Sequence, residues 1–431
     1  MPCAVVRACF ASRAAALVLL LIAAAAASAG EIPTDTNAIE QLTPAEARKL
    51  VAEFPGANVE FAPAHDTTIT TSARGLPLSG LRSLDAETAK ALAAYEGELV
   101  LGGLTSLDAA AAEALTNGKA YSIYIHGLTE LDADTARVLA ASKKVQSWLS
   151  KLTTLDDAAA AALADFKVQD LYLDGLTVIS PQVAQSLSRS AAVNLHLNGV
   201  TTLSLAAAQA LAGFGRGRDG TNLSLQGLTE LDPETAAALA ASKAWDGQLP
   251  HLATLDTATA QALAASAVQQ FNLDGVTELD AKMARTLADC TCQFLSLGGL
   301  ATLDVETADA LADYAGQMVL KDSCRADFFR NNPLTPETAR AYAALSGRML
   351  CDITAFESTD SVAIARVFAA VNGPLALPNL KRISPKTLTA LIEKKDVVIP
   401  LLETLEMIPE PDGSPTDDFI VPPGFQARQR Q

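Results

Sequence analysis

Every 24 residues or so this chain returns to the same pattern. A landmark leucine or isoleucine falls at Leu84, Leu107, Leu131, Leu155, Ile179 and Leu203, spaced 23 residues once and 24 thereafter. After a four-residue insertion it resumes at Leu231, Leu255, Leu279 and Leu303. The text around it repeats as well: Leu99-Val-Leu-Gly-Gly-Leu-Thr-Ser-Leu-Asp returns as Ile123-Tyr-Ile-His-Gly-Leu-Thr-Glu-Leu-Asp, and again from Leu171, Leu195, Leu223, Phe271 and Leu295. A fixed period of this size means one small unit stacked on copies of itself, each burying its apolar face only against its neighbours. Such a chain builds an array, not a compact enzyme domain.

Each unit reads as one strand and one helix. The Leu-x-Leu stretch alternates apolar and variable positions, the period of a half-buried strand. Gly80, Gly103, Gly127, Gly175, Gly199, Gly227, Gly275 and Gly299 follow it, which reads as a turn whose residue must tolerate positive φ. Asp85, Asp108, Asp132, Asp156, Asp232, Asp256, Asp280 and Asp304 then stand directly after the landmark position, with Ser180, Ser204, Thr335 and Ser384 in their place elsewhere. A column of carboxylates suggests calcium or catalysis. Helix N-caps explain it better, because Ser and Thr keep a cap but would weaken a metal ligand, and Pro181, Pro233, Pro336 and Pro385 occupy the first helical position behind four of them. The Ala-rich stretches that follow, such as Thr88 to Ala93 and Thr235 to Ala240, are short helices with small side chains that let neighbours approach. Strand and helix alternating in one hand give a parallel sheet on one face and helices on the other.

These residues resemble the leucine-rich repeat family, well from Leu76 to Leu320 and more weakly to about Leu401, with Gly where that family commonly carries Asn and with an Asp-capped, Ala-rich return. The pattern looks like divergent, alanine-rich bacterial forms of the repeat. The resemblance implies an α/β right-handed solenoid, a horseshoe with the parallel sheet on its concave face and short helices on its convex face. It implies binding and carries no shared catalytic residues.

The flanks differ from the array. Residues 1–29 carry Arg7 and Arg13, an apolar run through Leu17 to Ile22, and Ala27-Ser28-Ala29, the form of a cleaved secretory signal. The run from Ala14 to Ala29 is 16 residues and half alanine, short of the roughly 20 strongly apolar residues of a membrane span. Residues 30–75 are expected to cap the first strand, residues 76–320 to form the regular repeats, and residues 321–408 to form degenerate repeats and a C-terminal cap. The Pro-rich segment 409–431 has no apolar period and reads as a disordered tail. A Gly-Phe-Gly-Arg-Gly-Arg-Asp-Gly run between Ala212 and Asn222 reads as a loop bulging from the array, and Lys321 to Pro333 interrupts the period again.

Removing the signal takes the formal charge from −17 to −19. So acidic a chain repels phosphate backbones, and no basic stripe offsets it, so nucleic acid is not expected as a partner. An exported product is also expected not to span a membrane. Of the six cysteines, Cys290, Cys292, Cys324 and Cys351 remain, all in late repeats. One or two disulfides are expected in an oxidising compartment; zinc is disfavoured by the Cys-x-Cys spacing and the lack of a nearby His, and buried free thiols are the third option.

Function must sit where the repeat leaves positions free. In Leu-x-Leu-x-Gly the two x side chains point away from the core, and equivalent positions on neighbouring strands lie about 4.8 Å apart. The first x reads Val100, Tyr124, Trp148, Tyr172, His196 and Ser224, and the second Gly102, His126, Ser150, Asp174, Asn198 and Gln226. Aromatic rings thus fall on consecutive strands of a chain that is only 5% aromatic, with polar groups beside them. Flat rings supply contact area and polar groups fix orientation. Tyr124, His126, Trp148, Tyr172, Asp174, His196 and Asn198 are therefore the candidate ligand-binding residues, for a protein or a glycan. The competing account is cross-strand packing of residues that favour strands. No Ser-His-Asp, Cys-His or paired-carboxylate arrangement stands out, and neither cofactor nor metal is expected. The expected function is an exported, non-catalytic recognition or scaffold protein, with a structural envelope or surface spacer as the alternative.

Overall fold

The computed structural model describes residue 33 and residues 35–415, apart from 65–66, 73, 148, 346–348 and 372. The expected signal at 1–29 and residues 416–431 of the expected tail lie outside the described residues. The chain forms an α/β solenoid of parallel strands and short helices, divided into two compact units, one up to Ala162 and one from Leu163.

After a 3-10 turn at Thr36–Ala38, the first unit forms α1 (Pro44–Glu53), whose Thr43 and Glu46 form a capping box. A hairpin follows, β1 (Glu60–Ala64) antiparallel to β2 (Thr67–Thr70). Then come four parallel strands, β3 (Gly75–Pro77), β4 (Glu98–Val100), β5 (Ser122–Ile125) and β6 (Val145–Ser147), in that order across the sheet. Their register sets Leu76, Leu99, Ile123 and Val145 side by side, all buried. Helices α2 (Ala86–Leu92), α3 (Ala109–Thr116) and α4 (Ala133–Ala141) alternate with the strands, each packing against the next.

The second unit repeats the plan. Strands β7 (Asp170–Tyr172), β8 (Asn194–His196) and β9 (Asn222–Ser224) form one parallel sheet, and β10 (Gln270–Asn272), β11 (Phe294–Leu297) and β12 (Gln317–Leu320) another. The break between them has a local cause. Gly247 stands where the leucine column requires an apolar side chain, and Trp245 bridges Leu223 instead and fills the core at 3% exposure. Gly247 adopts a φ of 71°, and a Cβ there would lie 2.4 Å from the carbonyl oxygen of Gln270. The interruption at Lys321 to Pro333 is a helix, Asp322–Asn331, that buries Cys324 and Phe328. The helices on either side of it, Val305–Ala312 and Pro336–Ala344, pack directly on each other, so it stands outside their row.

All twelve predicted caps accept a backbone N–H from the first turn of their helices, from Asp85 to Ser384; Asp132 Oδ1, for example, accepts the N–H of Thr135 at 2.8 Å. These bonds hold the Asp85, Asp132 and Asp256 carboxyls below their usual range, and at Asp232 the Thr235 hydroxyl contributes most. Behind the caps runs a column of buried threonines. The buried Thr88, Thr135, Thr259 and Thr307 each place Oγ1 within 3.1 to 3.4 Å of a carbonyl oxygen one repeat earlier: Leu42, Leu107, Leu231 and Leu279 respectively. Threonine at this position joins one helix start to the repeat before it.

The reading of the repeat glycines needs correction. None of those in contact with a preceding repeat has positive φ. They are required by close approach: a Cβ would lie 2.0 Å from the Ser79 carbonyl oxygen at Gly103 and 1.8 Å from that of Asp174 at Gly199. The backbone of one repeat rests on that of the next, and any side chain would part them.

The described residues continue to 415, past the start of the expected tail. Glu410, 5% exposed, accepts the N–H of Lys386 at 2.9 Å, and Lys386 Nζ donates to Ser414 Oγ at 2.6 Å. Cys290 and Cys292 form a disulfide, while Cys324 and Cys351 are free and buried. Burial raises both thiol pKa values, that of Cys351 to about 12.

Candidate functional site

The predicted surface residues divide between the two units. Trp148 lies outside the described residues, so Tyr124 and His126 belong to one local site and Tyr172, Asp174, His196 and Asn198 to another.

In the first unit the sheet face is not open. The hairpin brings Phe61 over β5, where its ring stacks on His126 with centroids 5.1 Å apart and meets Tyr124 edge-on at 5.0 Å. From the other side Gly102 makes room for the imidazole: a Cβ there would lie 2.1 Å from His126 Nε2. His126 is 8% exposed, and its Nδ1 is one of two buried side-chain polar atoms without a partner among the described residues. Burial, with a smaller push from Lys151, lowers its pKa to about 4. The expectation that His126 faces solvent is therefore corrected, while Tyr124 stays half-buried under the Phe61 ring. The reason is a hairpin outside the repeat pattern, whose Phe61 stands 63 residues before Tyr124 and 65 before His126 in the chain.

In the second unit Tyr172, Asp174, His196 and Asn198 are all half-buried. Tyr172 and His196 are register partners on β7 and β8, and their rings stack at 4.3 Å with planes within 10°. His196 Nε2 is 3.4 Å from Asp170 Oδ1, which also accepts Asn194 Nδ2 at 2.6 Å. The His196 and Asp170 side chains are 21% and 33% exposed, enough for a ligand to reach them. Ser224 faces His196 across the ladder but is 2% exposed, and its hydroxyl bonds to Asp246 and to Gln226 Nε2. Burial raises the pKa of Asp246, opposed by the Ser224 hydrogen bond and by the charge of His196.

The second row has a structural duty as well. Asp174 Oδ1 accepts the N–H of Asn198 at 2.8 Å, and Asn198 Oδ1 accepts that of Gln226 at 3.1 Å. Asp274 repeats the device, accepting the N–H of Gly298 at 2.6 Å. Each short side chain ties the next strand at the point where its regular pairing ends, so Asp174 presents its remaining lone pairs to a ligand and Asn198 its remaining lone pair and amide N–H groups.

Sequence reasoning missed Asp170 and Asn194, which occupy a third outward row one residue before the first leucine. It also missed Asp246, which enters through the irregularity at Gly247. The first had a signal, since the same alternation that selects the two x rows selects this one. Among the described residues no cluster of three or more His, Cys, Asp or Glu could hold a metal ion.

No family model matches the chain, and no curated protein matches it. Among solved structures, a chain of the Toll–Spatzle complex of Drosophila aligns over 76% of this chain and 42% of its own length, at 13% identity and a TM-score of 0.44. A chain of the TLR13–ssRNA13 complex aligns over 76% and 57%, at 15% identity and 0.42. A chain of the yeast Rad7–Elc1 complex aligns over 78% and 80%, at 13% identity and 0.29. The chain spans about half the length of the first two. At these identities no ligand or activity carries over.

Proposed function

We propose that this chain is an exported, non-catalytic binding protein that takes a protein or glycan partner on the sheet face around Tyr172 and His196. The observation that carries this reading is the stacked, part-exposed Tyr172–His196 pair with Asp170 and Asn194 hydrogen-bonded beside it. Ordered rings offer contact area at little entropic cost, and the fixed carboxylate and amide beside them give direction to hydrogen bonds. Asp174 and Asn198 extend the surface on one side through their remaining acceptor and donor groups. Export rests on the form of residues 1–29, and among the described residues no helix is long and apolar enough to cross a membrane.

The ladder bonds of Asp174 and Asn198 favour a second reading, a structural spacer whose polar face is engaged internally. The experiment that separates the two is binding of the wild-type chain and a Tyr172→Ala, His196→Ala double variant to a glycan array and an envelope-protein array, with circular dichroism as a check on folding. Loss of a wild-type signal in a folded variant supports recognition at this face. Equal binding by both, or binding by neither, favours the spacer.

A further inference from the structure

The insertion that breaks the period after Leu211 builds a groove in the second unit. Three positive-φ glycines, Gly215, Gly217 and Gly220, carry the loop away from the helix Leu205–Leu211 and back to β9. The groove beneath it has a volume of about 890 Å³, and its eleven lining residues include Lys167, Arg189, Arg216 and Arg218 but no carboxylate. This is an anomaly in a chain with 49 acidic and 32 basic residues. All four cations are exposed, and none takes part in an ion pair among the described residues.

One of the four has an evident structural use. Arg218 Nη2 donates to the Ser190 carbonyl at 2.8 Å and Nη1 to those of Ala192 and Ala191 at 2.9 and 3.2 Å, while Cζ stands 5.5 Å from the ring centroid of Phe214. This single guanidinium pins the loop and neutralises the carbonyl-rich turn that follows the helix Pro181–Leu187. Arg189, Arg216 and Lys167 are left over. Two guanidinium forks and an ammonium, brought to one groove of small-molecule size, hold donors that no hydrogen bond or ion pair among the described residues consumes. Their mutual repulsion is relieved by an anion between them.

We propose that this groove binds the oxyanion of a phosphate or sulfate ester, with Arg189 and Arg216 as its forked donors, Lys167 as a further charge and Arg218 as the fixed floor. Arginine favours this chemistry because its planar fork matches two oxygens of such a group. The site is distinct from the Tyr172–His196 face and does not depend on that face binding anything.

The test is calorimetric titration of the full chain with inorganic phosphate and with inorganic sulfate, with sodium chloride at equal ionic strength as the control. Wild type is expected to bind at least one of them above the chloride control, and which one identifies the ester. In an Arg189→Gln, Arg216→Gln double variant the affinity is expected to fall by roughly tenfold or more, the loss that two charge-assisted contacts bring. Both side chains are exposed, so the variant should melt with wild type, and the melting curve verifies this. If wild type binds neither ion, or the folded double variant binds as well as wild type, the proposal is overturned and the cations serve only the carbonyl ends of the neighbouring helices.

Discussion

The ring of Phe61 lies flat against the imidazole of His126, with centroids 5.1 Å apart and planes within 3°. The contact joins a hairpin outside the repeat pattern to a strand inside it, and it decides that part of the sheet face is interior. Gly102 on the neighbouring strand completes the enclosure by leaving the imidazole room.

Stability should therefore depend on acid through His126. Its folded pKa of about 4 lies below the ordinary 6.5, so between those values the unfolded chain binds a proton that the folded chain refuses. The stabilisation is complete above pH 6.5 and is lost as pH falls towards 4, by up to roughly 3 kcal/mol. Urea unfolding at pH 7.5 and pH 4.5 measures it, and a His126→Leu variant should lose less stability over that interval than wild type. Phe61→Ala should raise the His126 pKa towards its ordinary value, followed by NMR titration of the imidazole.

The glycine requirement is steric, which separates two kinds of substitution. Gly199→Ala drives a Cβ against the Asp174 carbonyl oxygen and should cost about 3 kcal/mol. Gly217→Ala meets nothing within 4 Å and suffers only its φ of 78°, so about 1 kcal/mol is expected. Chemical denaturation of the two variants side by side distinguishes them; equal losses would contradict the close-approach account.

Removing the Thr135 hydroxyl should loosen the tie between repeats. Thr135 Oγ1 lies 3.1 Å from the Leu107 carbonyl oxygen and 2.9 Å from Asp132 Oδ2. Thr135→Val keeps the shape and is expected to cost about 1 kcal/mol. Asp132→Ala removes the cap and should cost about 0.5–2 kcal/mol. The two residues share a hydrogen bond, so the double variant should lose less than the sum of the singles, readable from thermal melts as a coupling term.

The free thiols should be silent. Cys324 and Cys351 are 1% and 0% exposed, with pKa values raised by burial. A thiol reagent at pH 8 should leave both unmodified in the native chain and label both in denaturant, as mapped by peptide mass spectrometry. Labelling under native conditions would show that the region around the helix Asp322–Asn331 opens.

Most of the repeat was legible without coordinates, because each unit states its own local physics: alternation gives a strand, Asp or Ser gives a cap, and a period of 24 gives stacking. Three features escape the sequence because they depend on a neighbour. The glycines read as turn residues within one unit, where a clash with a carbonyl of the preceding repeat cannot be seen. The buried threonines were invisible as ties for the same reason. The interruption at Lys321 to Pro333 concealed a helix because its apolar residues, Cys324 and Phe328, pack outside the regular row.

The sequence by itself determined the repeating unit, its alternation of strand and capped helix, and the rows of side chains that face outward, since these follow from interactions spanning a few residues. Only the tertiary structure decided which of those rows remain surface. Phe61 closes one part of the face, Asp174 and Asn198 spend acceptors on the backbone of the next strand, and an eleven-residue groove gathers cations from two repeats and an insertion. Burial and charge at a point are summed over everything that reaches it, and local patterns in the chain carry no record of contacts made from far along it.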